Sequence, residues 1–148
     1  MTTVLAAYDA LVAAGELRPD PEQRAAATRL NQLQTELEAV PRRGSLLWRL
    51  AGRKPDALRG VYLWGAVGRG KSMLMDLFYD QLAIQRKRRV HFHAFMLDVH
   101  ARLREVRKGE SGDPIPIVAE ALAENTRCLA FDEMVVNNSA DAMILSRL

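Results

Sequence analysis

Apolar residues recur every three or four positions through the first forty residues, which predicts two helices. The apolar positions of the first helix are Val4, Leu5, Tyr8, Leu11 and Val12. Gly15 predicts its end. The second helix begins at Asp20, whose side chain can accept from free N–H groups, and Pro21 suits the first helical position. Gln23 completes a predicted capping box.

After Gly60, short apolar runs alternate with helical patterns, which is typical of a parallel sheet with crossover helices. The strands predicted from these runs are residues 61–64, 90–95 and 128–131. The helices predicted between and after them are residues 73–84, 96–106, 117–124 and 139–148, the last capped by Asn138 or Ser139. The fold class is therefore α/β, with N-terminal helices before the sheet.

A change of composition separates these two parts of the chain. Residues 41–59 carry six basic side chains and one acid around a small apolar patch. A solvated connector is favoured here over a phosphate-binding or partner-binding strip. We therefore divide the chain into a helical preface, residues 1–40, a basic connector, residues 41–59, and an α/β core, residues 60–148.

Composition narrows the class of protein only modestly. The 148 residues are 49% hydrophobic and 26% charged, as in an ordinary globular domain, and 21 basic against 18 acidic residues give a net charge of +3. This small surplus does not predict a nucleic-acid partner. The single cysteine, Cys128, excludes an internal disulfide framework. No apolar run is long enough to span a membrane, so we expect a cytoplasmic protein, at most peripheral to a membrane.

The strongest chemical signal is a glycine-rich loop between the first predicted strand and the following helix. The loop matches the Walker A pattern G-x-x-x-x-G-K-[ST] with Gly65, Ala66, Val67, Gly68, Arg69, Gly70, Lys71 and Ser72. Its glycines allow the backbone to surround phosphates at a helix N-terminus. Lys71 would bridge the β- and γ-phosphates of a nucleotide, and Ser72 would bind Mg²⁺. An ordinary glycine turn before a helix is the weaker alternative.

A second candidate element is the acidic pair Asp132 and Glu133, at the end of the third predicted strand. Asp132 would hold the Mg²⁺ shell, and Glu133 would polarise the attacking water. Two acids in a loop after a core strand are the alternative. The upstream phosphate loop favours the functional interpretation, so the catalytic candidates are Glu133 and Lys71.

Other notable residues have simpler interpretations. His91 and His93 should lie on one side of a strand, near His100 on the next helix, but no carboxylate or thiol stands at ligand spacing, so zinc is not proposed. The basic run at residues 86–89 is interpreted as a solvated connector before the strand rather than a nucleic-acid contact. Cys128 is expected to fill the core strand.

These motifs resemble the family of the bacterial cell-division ATPase ZapE and its mitochondrial AFG-type relatives. The resemblance lies in residues 20–23, 60–79, 89–96, 131–133 and 140–145, and it covers nearly the whole chain. It implies an AAA+ type P-loop ATPase that uses ATP and Mg²⁺ to remodel a protein partner. In bacteria this partner would be the division-ring polymer FtsZ, and the full-length protein would be a homo-oligomer.

The resemblance also implies what lies outside these 148 residues. The family's parallel sheet has five strands, whereas this chain supplies strands one to three, so we expect it to be the N-terminal portion. Residues 134–139 depart from the family's usual acid-containing turn. Two alternatives stay open: a truncated fragment that binds nucleotide or partner without turnover, lacking sensor and arginine-finger residues, and an unrelated P-loop kinase or GTPase.

Overall fold

The computed structural model describes residues 2–40, 58–109 and 112–148. The chain divides into two compact units, Met1–Ala83 and Ile84–Leu148. Most of the predicted basic connector lies outside the described residues, so the division at residues 40 and 59 stays a prediction. Among the helices in the described ranges, none combines the length and apolarity needed to cross a membrane.

The described part of the first unit, residues 2–40 and 58–83, contains three helices: α1, Val4–Ala13; α2, Pro21–Ala39; and α3, Lys71–Gln81. Both predicted N-terminal helices are confirmed. Asp20 caps α2, since its carboxylate accepts hydrogen bonds from the N–H groups of Glu22 and Gln23 at 2.8 and 3.2 Å. The predicted capping box is wrong, because the side chain of Gln23 donates to the carbonyl oxygen of Arg69 instead.

A buried glutamine joins the three helices. Gln34, 3% exposed, accepts a hydrogen bond from the backbone N–H of Val4 at 3.0 Å. Its amide nitrogen donates to the Glu38 carboxylate and to the carbonyl oxygen of Gln81. The buried apolar side chains in the described part of this unit are Val4, Tyr8, Ala27, Leu30, Leu33, Leu37, Leu74, Phe78 and Leu82. The end of α3 is therefore fixed against the N-terminal helices.

Residues 61–64 form no strand, which corrects the prediction for the first strand. Exposure does alternate along this run, because Tyr62 and Trp64 are exposed while Val61 and Leu63 are half-buried. A strand also needs a partner for its N–H and C=O groups. The described part of this unit, residues 2–40 and 58–83, contains no other strand to supply one.

The second unit combines helices with a parallel strand pair. Its elements are β1, Lys87–His91; α4, Phe92–Gly109; α5, Ile115–Asn125; β2, Cys128–Asp132; and α6, Ser139–Leu145. The two described strands pair in parallel, with a register that runs from Lys87 opposite Cys128 to His91 opposite Asp132. The predicted third strand and the cap of the last helix by Asn138 are confirmed.

The second predicted strand is displaced toward the N-terminus. It ends at His91, and Phe92 begins α4, because Phe92, Phe95 and Val99 already follow helical spacing and are buried in the core. Both phenylalanines pack edge-on against Phe131 of β2, with ring centroids 5.7 and 4.8 Å apart. The aromatic contacts favour the helix over the alternating strand.

Two further expectations change with this shift. Residues 87–89 belong to β1, so the basic run is a strand rather than a solvated connector. Arg88 forms an ion pair with Asp98 of α4 at 3.8 Å. His91 ends a strand and His93 lies in the first turn of a helix, so they do not share one face of a strand as predicted.

Candidate functional site

The glycines of the predicted phosphate loop have the backbone conformations that the motif requires. Gly65, Gly68 and Gly70 have φ angles of 142°, 80° and 85°, a region that side chains with a Cβ rarely adopt. Successive residues that mix left- and right-handed conformations turn their N–H groups toward a common anion-binding concavity. Gly70 is also the residue immediately before α3. The loop therefore has a backbone suited to phosphate.

Lys71 and Ser72 form the first turn of α3, where the chain leaves the loop. The Lys71 ammonium group donates to the carbonyl oxygens of Gly65 and Ala66 at 2.8 and 2.7 Å. Ser72 is exposed. No side chain in the described ranges caps this helix, so its first N–H groups and the positive end of its dipole are available to an anion.

Helix α2 contacts this loop through two neighbouring side chains, a contact that the sequence did not indicate. Glu22 forms an ion pair with Arg69 at 2.6 Å. Gln23 donates from Nε2 to the Arg69 carbonyl oxygen at 3.1 Å. The start of the N-terminal helix thus lies directly against the phosphate loop.

Asp132 ends β2 and is held by an arginine from β1. Arg89 binds it through two hydrogen bonds, from Nε to Oδ2 at 2.8 Å and from Nη2 to Oδ1 at 3.0 Å. These bonds, the Arg89 charge and a smaller contribution from His91 hold the pKa of Asp132 below its usual value. The Asp132 carboxylate therefore stays ionised to a lower pH than an ordinary aspartate.

Glu133 has a strained backbone. Of the non-glycine residues that the structure describes, Glu133 alone has a positive φ, 52°. This left-handed conformation costs a residue with a Cβ about 1–2 kcal/mol. Its side chain is exposed to solvent. Such strain concentrates at functional sites, where the surrounding structure holds a side chain in a required direction.

A hydrogen-bonded cluster follows the acidic pair. His100 of α4 donates to Asp141 of α6 at 2.7 Å, and the Asn138 amide donates to the other Asp141 oxygen at 2.8 Å. Hydrogen bonds from His100 first, and then Asn138, lower the pKa of Asp141. The cluster joins the start of α6 to α4. Within residues 2–40, 58–109 and 112–148, no three histidine, cysteine or acidic side chains lie together in a way that could hold a metal ion.

The predicted site residues fall in both units. Residues 65–72 belong to the first unit and the acidic pair to the second. Sequence reasoning missed Arg89, which it assigned to a solvated connector, and Gln23, which it assigned to a capping box. Arg89 is a basic residue near the end of β1, and the parallel strand β2 ends in the acidic Asp132. The two residues can be paired only once the register of the strands is known.

The chain belongs to the AFG1-like ATPase family, whose family model matches residues 2–148. Cell division protein ZapE of Escherichia coli K12 is 41% identical over 145 residues, which cover 90% of this chain and 38% of that protein. Lactation elevated protein 1 homolog B of Danio rerio is 36% identical over 190 residues, covering 95% and 38%. An uncharacterized protein of Schizosaccharomyces pombe is 36% identical over 178 residues, covering 99% and 39%.

The sequence resemblance to this family is therefore confirmed. The chain spans 38–39% of the length of these curated relatives. No solved structure matches the chain.

Proposed function

We propose that the chain binds ATP through residues 65–72 and takes part in its hydrolysis through Asp132 and Glu133. The observation that carries this proposal is the loop itself: left-handed glycines, a lysine bound to the loop carbonyls, and a helix N-terminus that no described side chain caps. Membership of the AFG1-like ATPases supports the same chemistry. We further propose an AAA+ type P-loop sheet completed by the remainder of the protein.

The oxygen donors of the chain fit Mg²⁺, which prefers carboxylates and hydroxyls. Ser72 offers an exposed hydroxyl, and Asp132 offers an ionised carboxylate. When bound, Mg²⁺ would neutralise negative charge on the phosphates. Because Arg89 already binds both Asp132 oxygens, the carboxylate would share its charge between the arginine and the metal shell.

The remaining roles follow from charge and position. Lys71 would place a positive charge on the β- and γ-phosphates. The backbone N–H groups of residues 65–72 would bind phosphate oxygens. Glu133 would accept a hydrogen bond from a water molecule and orient it for attack, and its strained backbone is consistent with a fixed direction for this carboxylate.

The cellular role is proposed at a coarser level. The E. coli relative is named a cell division protein, which supports a role in remodelling a division-related partner. We propose the FtsZ polymer as this partner, a homo-oligomeric full-length protein, and a cytoplasmic location that is at most peripheral to the membrane. Co-sedimentation of the full-length protein with FtsZ polymers, with and without ATP, tests this extension.

Two substitutions test the chemistry separately. Lys71→Ala should abolish ATP binding, whereas Glu133→Gln should keep binding and abolish Mg²⁺-dependent hydrolysis. Lys108→Ala changes an exposed lysine of α4 and serves as the matched control for charge. Unchanged nucleotide affinity in Lys71→Ala would refute the binding proposal. Hydrolysis that persists in Glu133→Gln would refute the assigned role of Glu133.

A further inference from the structure

The start of α2 and the last residues of the phosphate loop are joined by side-chain contacts. Gln23 stands 42 positions before Gly65 in the chain. Nevertheless its Nε2 lies 3.1 Å from the Arg69 carbonyl oxygen. Both residues belong to the first unit. The contact fixes one carbonyl in the segment where the loop turns into α3.

The orientation of the Gln23 amide follows from this carbonyl. A carbonyl oxygen only accepts hydrogen bonds, so the NH₂ group of Gln23 must face Arg69. The other polar atom of the amide, Oε1, then points away from the Arg69 carbonyl. Oε1 is buried and receives no hydrogen bond from the part of the chain that the structure describes. A buried acceptor without a donor is unfavourable. Gln23 thus keeps its hydrogen bond to the loop while its Oε1 has no donor among the described residues.

Gln23 also lies close to the backbone of Gly70. A Cβ added to Gly70 would lie 2.8 Å from Gln23 Nε2 and 3.2 Å from Gln23 Cδ. Real Cβ atoms essentially never show the shorter of these separations. The amide therefore packs on the left-handed glycine while it binds the preceding carbonyl. One side chain thus contacts two successive loop residues, immediately before Lys71.

The neighbouring ion pair contributes less to the position of the loop than the Gln23 hydrogen bond does. Glu22 and Arg69 contact each other at 2.6 Å, but their side chains are 80% and 56% exposed. Exposed ion pairs are screened by solvent and contribute little. Arg69 is thus held mainly through its backbone carbonyl by Gln23.

We infer that Gln23 is a positioning residue for the phosphate loop: it holds the Arg69 carbonyl and the Gly70 backbone in the conformation that receives phosphate. The inference rests on the proposed ATP binding. The role deepens that proposal, because it makes the first turn of α2 part of the nucleotide site without direct contact to the nucleotide. The residue acts through the loop and is not itself catalytic.

The test uses Gln23→Met, which keeps the length of the side chain and removes the donor, together with Gln23→Ala. Gln32→Met is the matched control, because Gln32 is an exposed glutamine of the same helix. Amide hydrogen exchange of residues 68–71 is measured without nucleotide, and ATP affinity is measured by titration. Faster exchange at these amides and an affinity about 3- to 10-fold weaker are expected for Gln23→Met. Gln32→Met should match the wild type in both measurements.

The two readouts separate this inference from the function on which it rests. If the wild type fails to bind ATP, the proposed function is wrong, and hydrogen exchange still decides whether Gln23 holds the loop. Unchanged exchange and unchanged affinity in Gln23→Met would overturn the inference while ATP binding stands. Weaker affinity with unchanged exchange would also overturn it, since Gln23 would then contact nucleotide directly. If Gln23→Ala does not fold, Gln23→Met decides the question.

Discussion

Arg89 and Asp132 are joined by two hydrogen bonds across the parallel strand pair. The register places Arg89 opposite Ala130, so the guanidinium reaches two residues along β2 to bind both oxygens of Asp132. The two side chains are 31% and 21% exposed. Partial burial and two-point geometry make this pair stronger than an ordinary surface ion pair.

Replacing Arg89 should release Asp132. In Arg89→Ala the pKa of Asp132 should rise toward its ordinary value, because the hydrogen bonds and the positive charge are lost. The free energy of unfolding should fall by about 1 kcal/mol. Arg89→Lys keeps the charge without the two-point geometry and should give an intermediate result.

An NMR titration of the Asp132 carboxyl and urea denaturation measure these effects. Arg107→Ala, at an exposed arginine in the last turn of α4, is the control. An Asp132 pKa unchanged in Arg89→Ala would show that the ion pair does not control this carboxylate.

Substitutions of Glu133 should change both the free energy of unfolding and the proposed ATP hydrolysis. Since its φ is 52°, Glu133→Gly should raise the free energy of unfolding by about 1 kcal/mol as the left-handed strain is relieved. The same substitution should abolish the proposed ATP hydrolysis, because it removes the carboxylate to which we assign the orientation of water. Glu133→Ala removes the carboxylate but keeps the strain, so it should lose hydrolysis without any gain in stability. Equal stability of the glycine and alanine variants would argue against the strain.

The contact between His100 and Asp141 should make stability depend on pH. Its hydrogen bonds lower the pKa of Asp141 in the folded protein relative to the unfolded chain. The stabilisation is therefore complete above the unfolded value, about 3.9, and is lost as pH falls through the lower folded value. Asp141→Asn removes the titrating group.

Thermal denaturation between about pH 6 and pH 3 measures this effect. The stability difference between wild type and Asp141→Asn should be largest at the upper end and shrink on acidification. Asp80→Asn, at an exposed carboxylate of α3, is the matched control. A difference that is constant with pH would contradict the assigned role of Asp141.

Gln34 should be required for the packing of the first unit. Gln34→Met keeps the side-chain volume but leaves the Val4 N–H and the Gln81 carbonyl oxygen without this partner. Because buried polar groups lose a hydrogen-bond partner, the free energy of unfolding should fall by about 2 kcal/mol. Gln32→Met, on the exposed face of α2, should change it by less than about 0.5 kcal/mol. Similar values for the two variants would show that the Gln34 bonds do not stabilise the unit.

The helices were the part of the fold most readily predicted. Apolar spacing predicts α1 and α2. Asp20 is predicted as a cap, and the cap of the last helix is narrowed to Asn138 or Ser139, because capping depends on neighbouring residues alone. The second strand was misplaced because residues 90–95 alternate and also fit a helix. Contacts with Phe131, 36 residues after Phe95, favour the helix, and no local pattern contains them.

The residues of the candidate site also differ in how far the sequence predicts them. The phosphate loop is a contiguous motif, so its glycines and Lys71 could be named from the sequence. Gln23 and Arg89 act over 46 and 43 positions, and a single sequence does not contain such pairings. The strain at Glu133 is a backbone property that its residue type gives no reason to expect.

The hydrogen bonds of Lys71 to two loop carbonyl oxygens also affect the entropy change when a ligand binds. The Lys71 ammonium is held by the carbonyl oxygens of Gly65 and Ala66, and the glycines of the loop have their left-handed conformations. The conformational entropy of this segment is therefore lost when the protein folds rather than when a ligand arrives. A loop that is ordered before binding loses less conformational entropy on binding, so the same contacts give a higher affinity. An anion that enters it exchanges hydrogen bonds at Lys71 without having to order the chain.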